Sequence, residues 1–130
     1  MTTHGPRPPL PKLAPGDEVI VIESPYRSSS EHRAKVTKVA RVWIDLEEIG
    51  DRPYPRHWRM RVDTQNESTA RRGGCRFSTP EQHEWDQRLA DAYKRIRAHG
   101  VVVEFHSPWH APERRMLLAD LLDQHKEDQP

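Results

Sequence analysis

The run Gly16-Asp17-Glu18-Val19-Ile20-Val21-Ile22-Glu23 is followed, after a polar loop, by Arg33-Ala34-Lys35-Val36-Thr37-Lys38-Val39-Ala40-Arg41-Val42-Trp43-Ile44-Asp45-Leu46. Val19 to Ile22 is continuously apolar, which suits a short strand covered on both faces. The second run holds two strands nearly joined. Val36 and Val39 break the period of two, so a bulge that bends the chain is expected near Lys38. Ile44 and Leu46 resume the alternation and point inward, whereas Lys35 and Arg41 point out.

Outward from these strands the punctuation is regular. Glu47, Glu48, Gly50 and Asp51 end the hairpin, and Pro53 and Pro55 keep the next loop out of any central strand. In His57-Trp58-Arg59-Met60-Arg61-Val62, alternation places Trp58, Met60 and Val62 on the core side and His57, Arg59 and Arg61 on the other. Asn66 to Gly74 is a polar loop, and Cys75-Arg76-Phe77 is a short strand suited to closing a barrel. One strand, a long loop, a bent pair of strands and two further strands predict a small SH3-like barrel over residues 16–78. The fold class is mainly β with C-terminal α.

After the barrel, residues 79–125 read as a helix-strand-helix extension packed on it. Thr79-Pro80-Glu81-Gln82 is a helix start, with Thr79 as cap, Pro80 in the first helical position and Gln82 placed to reach back. Trp85, Leu89, Ala92, Tyr93 and Ile96 repeat at spacings of three and four, and Gly100 is a natural stop. Val101-Val102-Val103-Glu104-Phe105 reads as a strand that pairs either with a barrel edge or with a second copy, the latter giving a homodimer. Pro112 opens a second helix whose apolar stripe is Leu117, Leu118, Leu121 and Leu122. Residues 126–130 read as a frayed tail. Residues 1–15 hold five of the twelve prolines and read as a flexible polyproline arm, with Pro8 and Pro11 in a spacing that aromatic grooves recognise.

The 130 residues include 21 basic and 20 acidic side chains, a net charge of +1. That balance hides an asymmetry: residues 16–78 hold 12 basic and 10 acidic residues, and residues 79–130 hold 7 and 10. Within residues 52–76 seven arginines face only Asp63 and Glu67, so a basic local face is expected on a protein that is not basic as a whole. The single cysteine excludes an intramolecular disulfide, and no apolar run resembles a leader or a membrane span, so a cytoplasmic protein without membrane contact is expected.

Catalytic and metal chemistry find little support. His106 and His110 flank the Ser107-Pro108-Trp109 turn, within reach of Glu104, His99 and Cys75, but eight histidines produce such spacings by chance. Cys75 has Arg72 and Arg76 nearby, and cations lower a thiol's pKa. A lone cysteine opening a strand is more simply a small core residue. His83 and Asp86, three apart on the first helix, are expected on its solvated face. No catalytic residue, metal or cofactor is therefore assigned.

Binding chemistry is better supported. Basic and aromatic residues interleave as Tyr26-Arg27, Arg41-Val42-Trp43 and Arg52-Pro53-Tyr54-Pro55-Arg56-His57-Trp58-Arg59. Arginine pairs with phosphate in bidentate fashion, and a loop tyrosine stacks on an unpaired base. Arg41, Arg52, Tyr54, Arg56, Arg59 and Arg61, with Arg71 and Arg72 assisting, form the expected nucleic-acid face. The alternative is a protein-interaction module that engages a host or phage protein through Tyr54, Trp109, Pro8 and Pro11.

The run from Ala34 to Trp43, with Arg61-Val62-Asp63-Thr64 and Phe77-Ser78-Thr79-Pro80-Glu81 ahead of a helix, resembles a group of small β-barrel proteins of unknown function. That group is encoded by bacteriophages and prophages of actinobacteria. The resemblance covers roughly residues 15–98 and, more weakly, the last helix; it departs at Ala40, where the group often has glycine. It implies an SH3-like barrel with C-terminal helices and an intracellular phage protein in the host cytoplasm. It carries over no catalytic residue.

Overall fold

The computed structural model describes residues 4–23, 30–67 and 74–127. Chain contacts divide it into two compact units, one of Pro9–His83 and one of Met1–Pro8 with Glu84–Pro130.

The first unit is a curled half-barrel of five antiparallel strands: β1 (Glu18–Glu23), β2 (Ser30–Val39), β3 (Trp43–Glu48), β4 (His57–Arg61) and β5 (Cys75–Ser78), in the order β4-β3-β2-β1-β5. Its concave side buries Val19, Val21, Ala34, Val36, Ile44, Leu46, Trp58, Met60 and Phe77, one alternation phase of each strand, and Leu10 and Leu13 pack against them. The register of β2 against β3 shifts between Val36 and Lys38, at the broken period. Thr37 is the extra residue, and its hydroxyl donates to the Asp45 carbonyl at 3.1 Å. The bulge bends the strand while keeping Val36 and Ile44 on the core side.

Residues 65–67 link the two edge strands. Arg61 N donates to Asn66 O at 2.8 Å, and Phe77 N to Gln65 O at 2.9 Å. Gln65 holds a φ of 56°, unusual for a residue with a Cβ, and its side chain repays the strain. Its amide donates to Phe77 O at 3.0 Å and to Gln82 Oε1 at 2.7 Å. Gln82 Oε1 also accepts from Thr79 N, while Thr79 Oγ1 accepts from Gln82 N, both at 3.1 Å. This reciprocal cap opens α1 (Pro80–Ala98) as the sequence predicts.

In the second unit Trp85, Ala92, Ile96, Met116 and Ala119 are buried together, with Leu89, Val101, Val103, Leu118 and Leu122 around them. Gly100 ends α1 with φ +74°, Val101 N returning to Ile96 O and Gly100 N to Arg97 O. A short 3₁₀ turn (Pro108–His110) leads into α2 (Pro112–Glu127). Two expectations are corrected. Residues 101–105 form no strand: Val101 and Val103 of this apolar run pack, half-buried, on the helical core instead. The buried stripe of α2 is carried by Met116 and Ala119 rather than by Leu117 and Leu121, which are half-buried. Polar chemistry sets that rotation, because Asp120 and Asp123 must reach Arg95 on α1, at 3.1 and 2.9 Å. His4 and His99 complete the network on Asp120 and Asp123, at 2.6 and 2.7 Å.

The proline-rich segment is engaged by its own chain. Trp85 Nε1 donates to Gly5 O at 3.0 Å, and Arg7 pairs with Asp86 at 2.9 Å.

Candidate functional site

The outer side of the half-barrel carries the second alternation phase, and cross-strand register turns it into rows of charge. Glu18 on β1 lies opposite Lys35 on β2, Lys35 opposite Glu47 on β3, and Glu47 opposite His57 on β4. One row further, Lys38, Asp45 and Arg59 are neighbours across three strands. Directly opposed unlike charges stabilise a sheet modestly and fix its register.

Arg59 donates through Nε and Nη2 to the two Asp45 oxygens at 2.8 and 3.3 Å. Arg61 does the same to Asp63, both bonds at 2.9 Å, with its guanidinium 5.7 Å from the Trp43 ring centroid. The Arg59 hydrogen bond, with Lys38 adding to it, holds the Asp45 carboxyl below the usual carboxylate range. The Arg61 hydrogen bond does so for Asp63. Each guanidinium gives its Nε–Nη2 edge to its aspartate, and among the described residues its Nη1 has no hydrogen-bond partner. Arg41 is exposed and, among the described residues, has no carboxylate partner. A shallow groove of about 370 Å³ runs beside Arg59, lined also by Thr37, Asp45, Leu46, His57 and Trp58.

The expected arginine face is therefore only partly one surface. Arg59 and Arg61 share the outer side of β4, and Arg41 lies in the turn between β2 and β3. Arg52 and Tyr54 sit in the loop beyond the opposite strand ends; Tyr54 is 90% exposed, and Arg52 lies 3.6 Å from Glu48. Arg56 leaves the face altogether: it pairs with Glu23 at 2.7 Å and stacks 5.6 Å from the Trp58 ring centroid. Its phase is that of Trp58 and Met60, so it points to the concave side. Arg71 and Arg72, with Tyr26 and Arg27, lie outside the described residues.

At that concave end His32 sits between two carboxylates, 3.5 Å from Glu23 and 3.6 Å from Glu48, with its ring 5.9 Å from Trp58. The sequence reading missed this cluster and the aspartates that clamp Arg59 and Arg61. Alternation alone puts Asp45 outside and Glu48 inside; pairing each with its cation requires the strand register.

The remaining candidates fall in separate places. Burial, with Glu67 and Glu23 adding to it, pushes the Cys75 thiol up to about 11, the reverse of the lowering that neighbouring arginines would give. His83 and Asp86 do not meet and are not simply solvated. His83 is 3.2 Å from Glu31, and Asp86 binds Arg7. His106 and His110 pack edge-on against Phe105, with centroids 5.4 and 5.1 Å away. Among the described residues no three metal-ligating side chains gather. Trp109 is half-buried with Arg114 5.9 Å from its ring centroid, Pro8 is half-buried and Pro11 exposed. No helix among the described residues is long and apolar enough to cross a membrane.

Comparison with known proteins adds one match: the model of the Phage ProQ C-terminal-like domain covers residues 1–125. No curated protein and no solved structure matches. The chain belongs to this phage-associated family.

Proposed function

We propose, with that family membership as premise, that the protein is a non-enzymatic, phage-encoded SH3-like barrel that binds nucleic acid in the host cytoplasm. The face is the outer side of β3 and β4 with the turn between β2 and β3, where Arg59, Arg61 and Arg41 meet phosphates and Trp43 offers an aromatic edge. Arg52 and the exposed Tyr54 extend it at the far end of the strands, with Tyr54 stacking on an unpaired base. The observation that carries this reading is the double clamp. Asp45 and Asp63 hold two neighbouring guanidinium groups in fixed orientation, each with donors to spare. The family description names the C-terminal domain of ProQ, an RNA-binding protein, and this makes RNA the first strand type to test.

The clamps also limit affinity, because each phosphate must approach an arginine that already has a counter-charge. Arg59→Gln combined with Arg61→Gln is expected to weaken binding of single-stranded RNA at least tenfold. Both side chains form solvent-facing pairs, which contribute little to stability, so the fold should hold. Unchanged binding by the folded double variant contradicts the assignment.

A second reading is a protein-interaction module centred on Tyr54, favoured by that side chain's 90% exposure. Trp109 and the proline arm are weaker anchors, since Trp109 is half-buried and the arm is held by its own chain. A host-lysate pulldown that recovers the same partners with wild type and Tyr54→Ala would remove Tyr54 from it.

A further inference from the structure

In the helical unit, α1 and the segment that follows it border a groove of about 190 Å³ lined by Tyr93, Ile96, Arg97, Val101, Val102, Val103 and Arg115. Arg115 is buried, with 9% of its surface exposed, and its guanidinium lies 4.3 Å from the Tyr93 ring centroid. Its Nε has no hydrogen-bond partner, and among the described residues no carboxylate pairs with it. Every other buried or half-buried cation described above has an anionic partner. Arginine cannot shed its proton to escape burial, so an unpaired buried guanidinium calls for an anion. No acidic side chain is among the groove's lining residues.

We propose that this groove binds the C-terminal carboxylate of a peptide whose last side chain is aliphatic. One buried guanidinium balances one monoanion, and its planar fork matches a carboxylate. A phosphate dianion would lose more hydration in these apolar walls than a single arginine returns. Ile96, Val101 and Val103 supply an aliphatic wall for one side chain, and the space equals about six water volumes, enough for one residue. Val102 and Val103 line the groove, and their backbone N–H groups have no partner among the described residues. They are the donors a terminal peptide unit uses in carboxylate capture. This site is independent of the arginine face of the sheet.

The test uses the full chain and follows the Arg115 Nε–Hε resonance by ¹⁵N NMR. The probe is an acetylated tetrapeptide ending in leucine, run with a free carboxylate, as its carboxamide, and beside isovalerate and inorganic phosphate. The expected result is a saturable Arg115 shift with the free-acid peptide, at least tenfold weaker for the amide, isovalerate and phosphate. Val102→Glu, at a position 86% exposed, should abolish the shift without unfolding by offering Arg115 its own carboxylate. Arg115→Met should abolish binding when it folds, and the Val102 variant decides when it does not. No shift with the free acid, or an equal shift with the amide, overturns the proposal. Equal or tighter binding of isovalerate or phosphate overturns the peptide assignment.

Discussion

Asp45 is the side chain on which the phosphate-binding reading turns, because it both positions Arg59 and cancels its charge. The usual approximation is that each phosphate contact contributes a salt slope near one. Asp45→Asn keeps a hydrogen-bond acceptor for Arg59 while removing the anion. It is therefore expected to tighten binding of single-stranded RNA several-fold and to steepen the salt dependence by about one. Anisotropy titrations of the variant and wild type at several salt concentrations check this, and a weaker variant would mean that Asp45 matters only as a rigid strut. The outward phase of Arg59 and Arg61 was legible from alternation alone. Their aspartate partners were not, since pairing Asp45 with Arg59 depends on which residues of β3 and β4 lie opposite one another. Arg56 shows the opposite failure. It stands two residues before Trp58 and so shares the inward phase, but the interleaving of basic and aromatic residues over 52–59 groups it with the face.

Strands and helices were readable where a local pattern has only one way to be buried. The bulge at Thr37 follows from the broken spacing of Val36 and Val39, and the cap at Thr79 and the stop at Gly100 from their own chemistry. Residues 101–105 are rich in β-branched valine and read as a strand, yet Val101 and Val103 pack, half-buried, against the helical core, which requires no ladder. In α2 the four leucines gave half of the stripe: Leu118 and Leu122 pack on the core, whereas Leu117 and Leu121 do not, because sequence hydrophobicity does not show that Asp120 and Asp123 reach Arg95. The corrected face makes an unequal pair of predictions. Met116→Ala removes a fully buried side chain and should cost about 2–5 kcal/mol. Leu117→Ala, half-buried and outside the core cluster, should cost less than half as much. Urea denaturation of both variants measures the difference; equal losses would contradict the rotation.

Charge is divided between the two units: 13 basic and 11 acidic residues in Pro9–His83, and 8 against 9 in the rest. The expected phosphate-binding face thus belongs to the more basic unit. Acid should destabilise the protein through its paired carboxylates. The Arg59 hydrogen bond lowers Asp45, and the His99 and Arg95 hydrogen bonds lower Asp123. Burial raises Asp120, but bonds from His4 and Arg95 outweigh it and hold it low. A carboxylate with a depressed folded pKa contributes stability that is fully present above its unfolded value of about 3.9 and is lost as pH falls through the folded value. The contribution of these groups to the melting temperature should therefore be level at mildly acidic pH and fall below about pH 4. The fall should be shallower in Asp120→Asn with Asp123→Asn than in wild type. Thermal melts across that range check both statements.

The arginine face itself is tested by fluorescence anisotropy of labelled single-stranded RNA, single-stranded DNA and duplex DNA, titrated with the full chain at about 50 and 200 mM salt. A phosphate site on β3 and β4 with stacking at Tyr54 predicts micromolar binding of the single strands at low salt, weakening by about tenfold or more at the higher salt. Absence of binding to all three at low salt would contradict it.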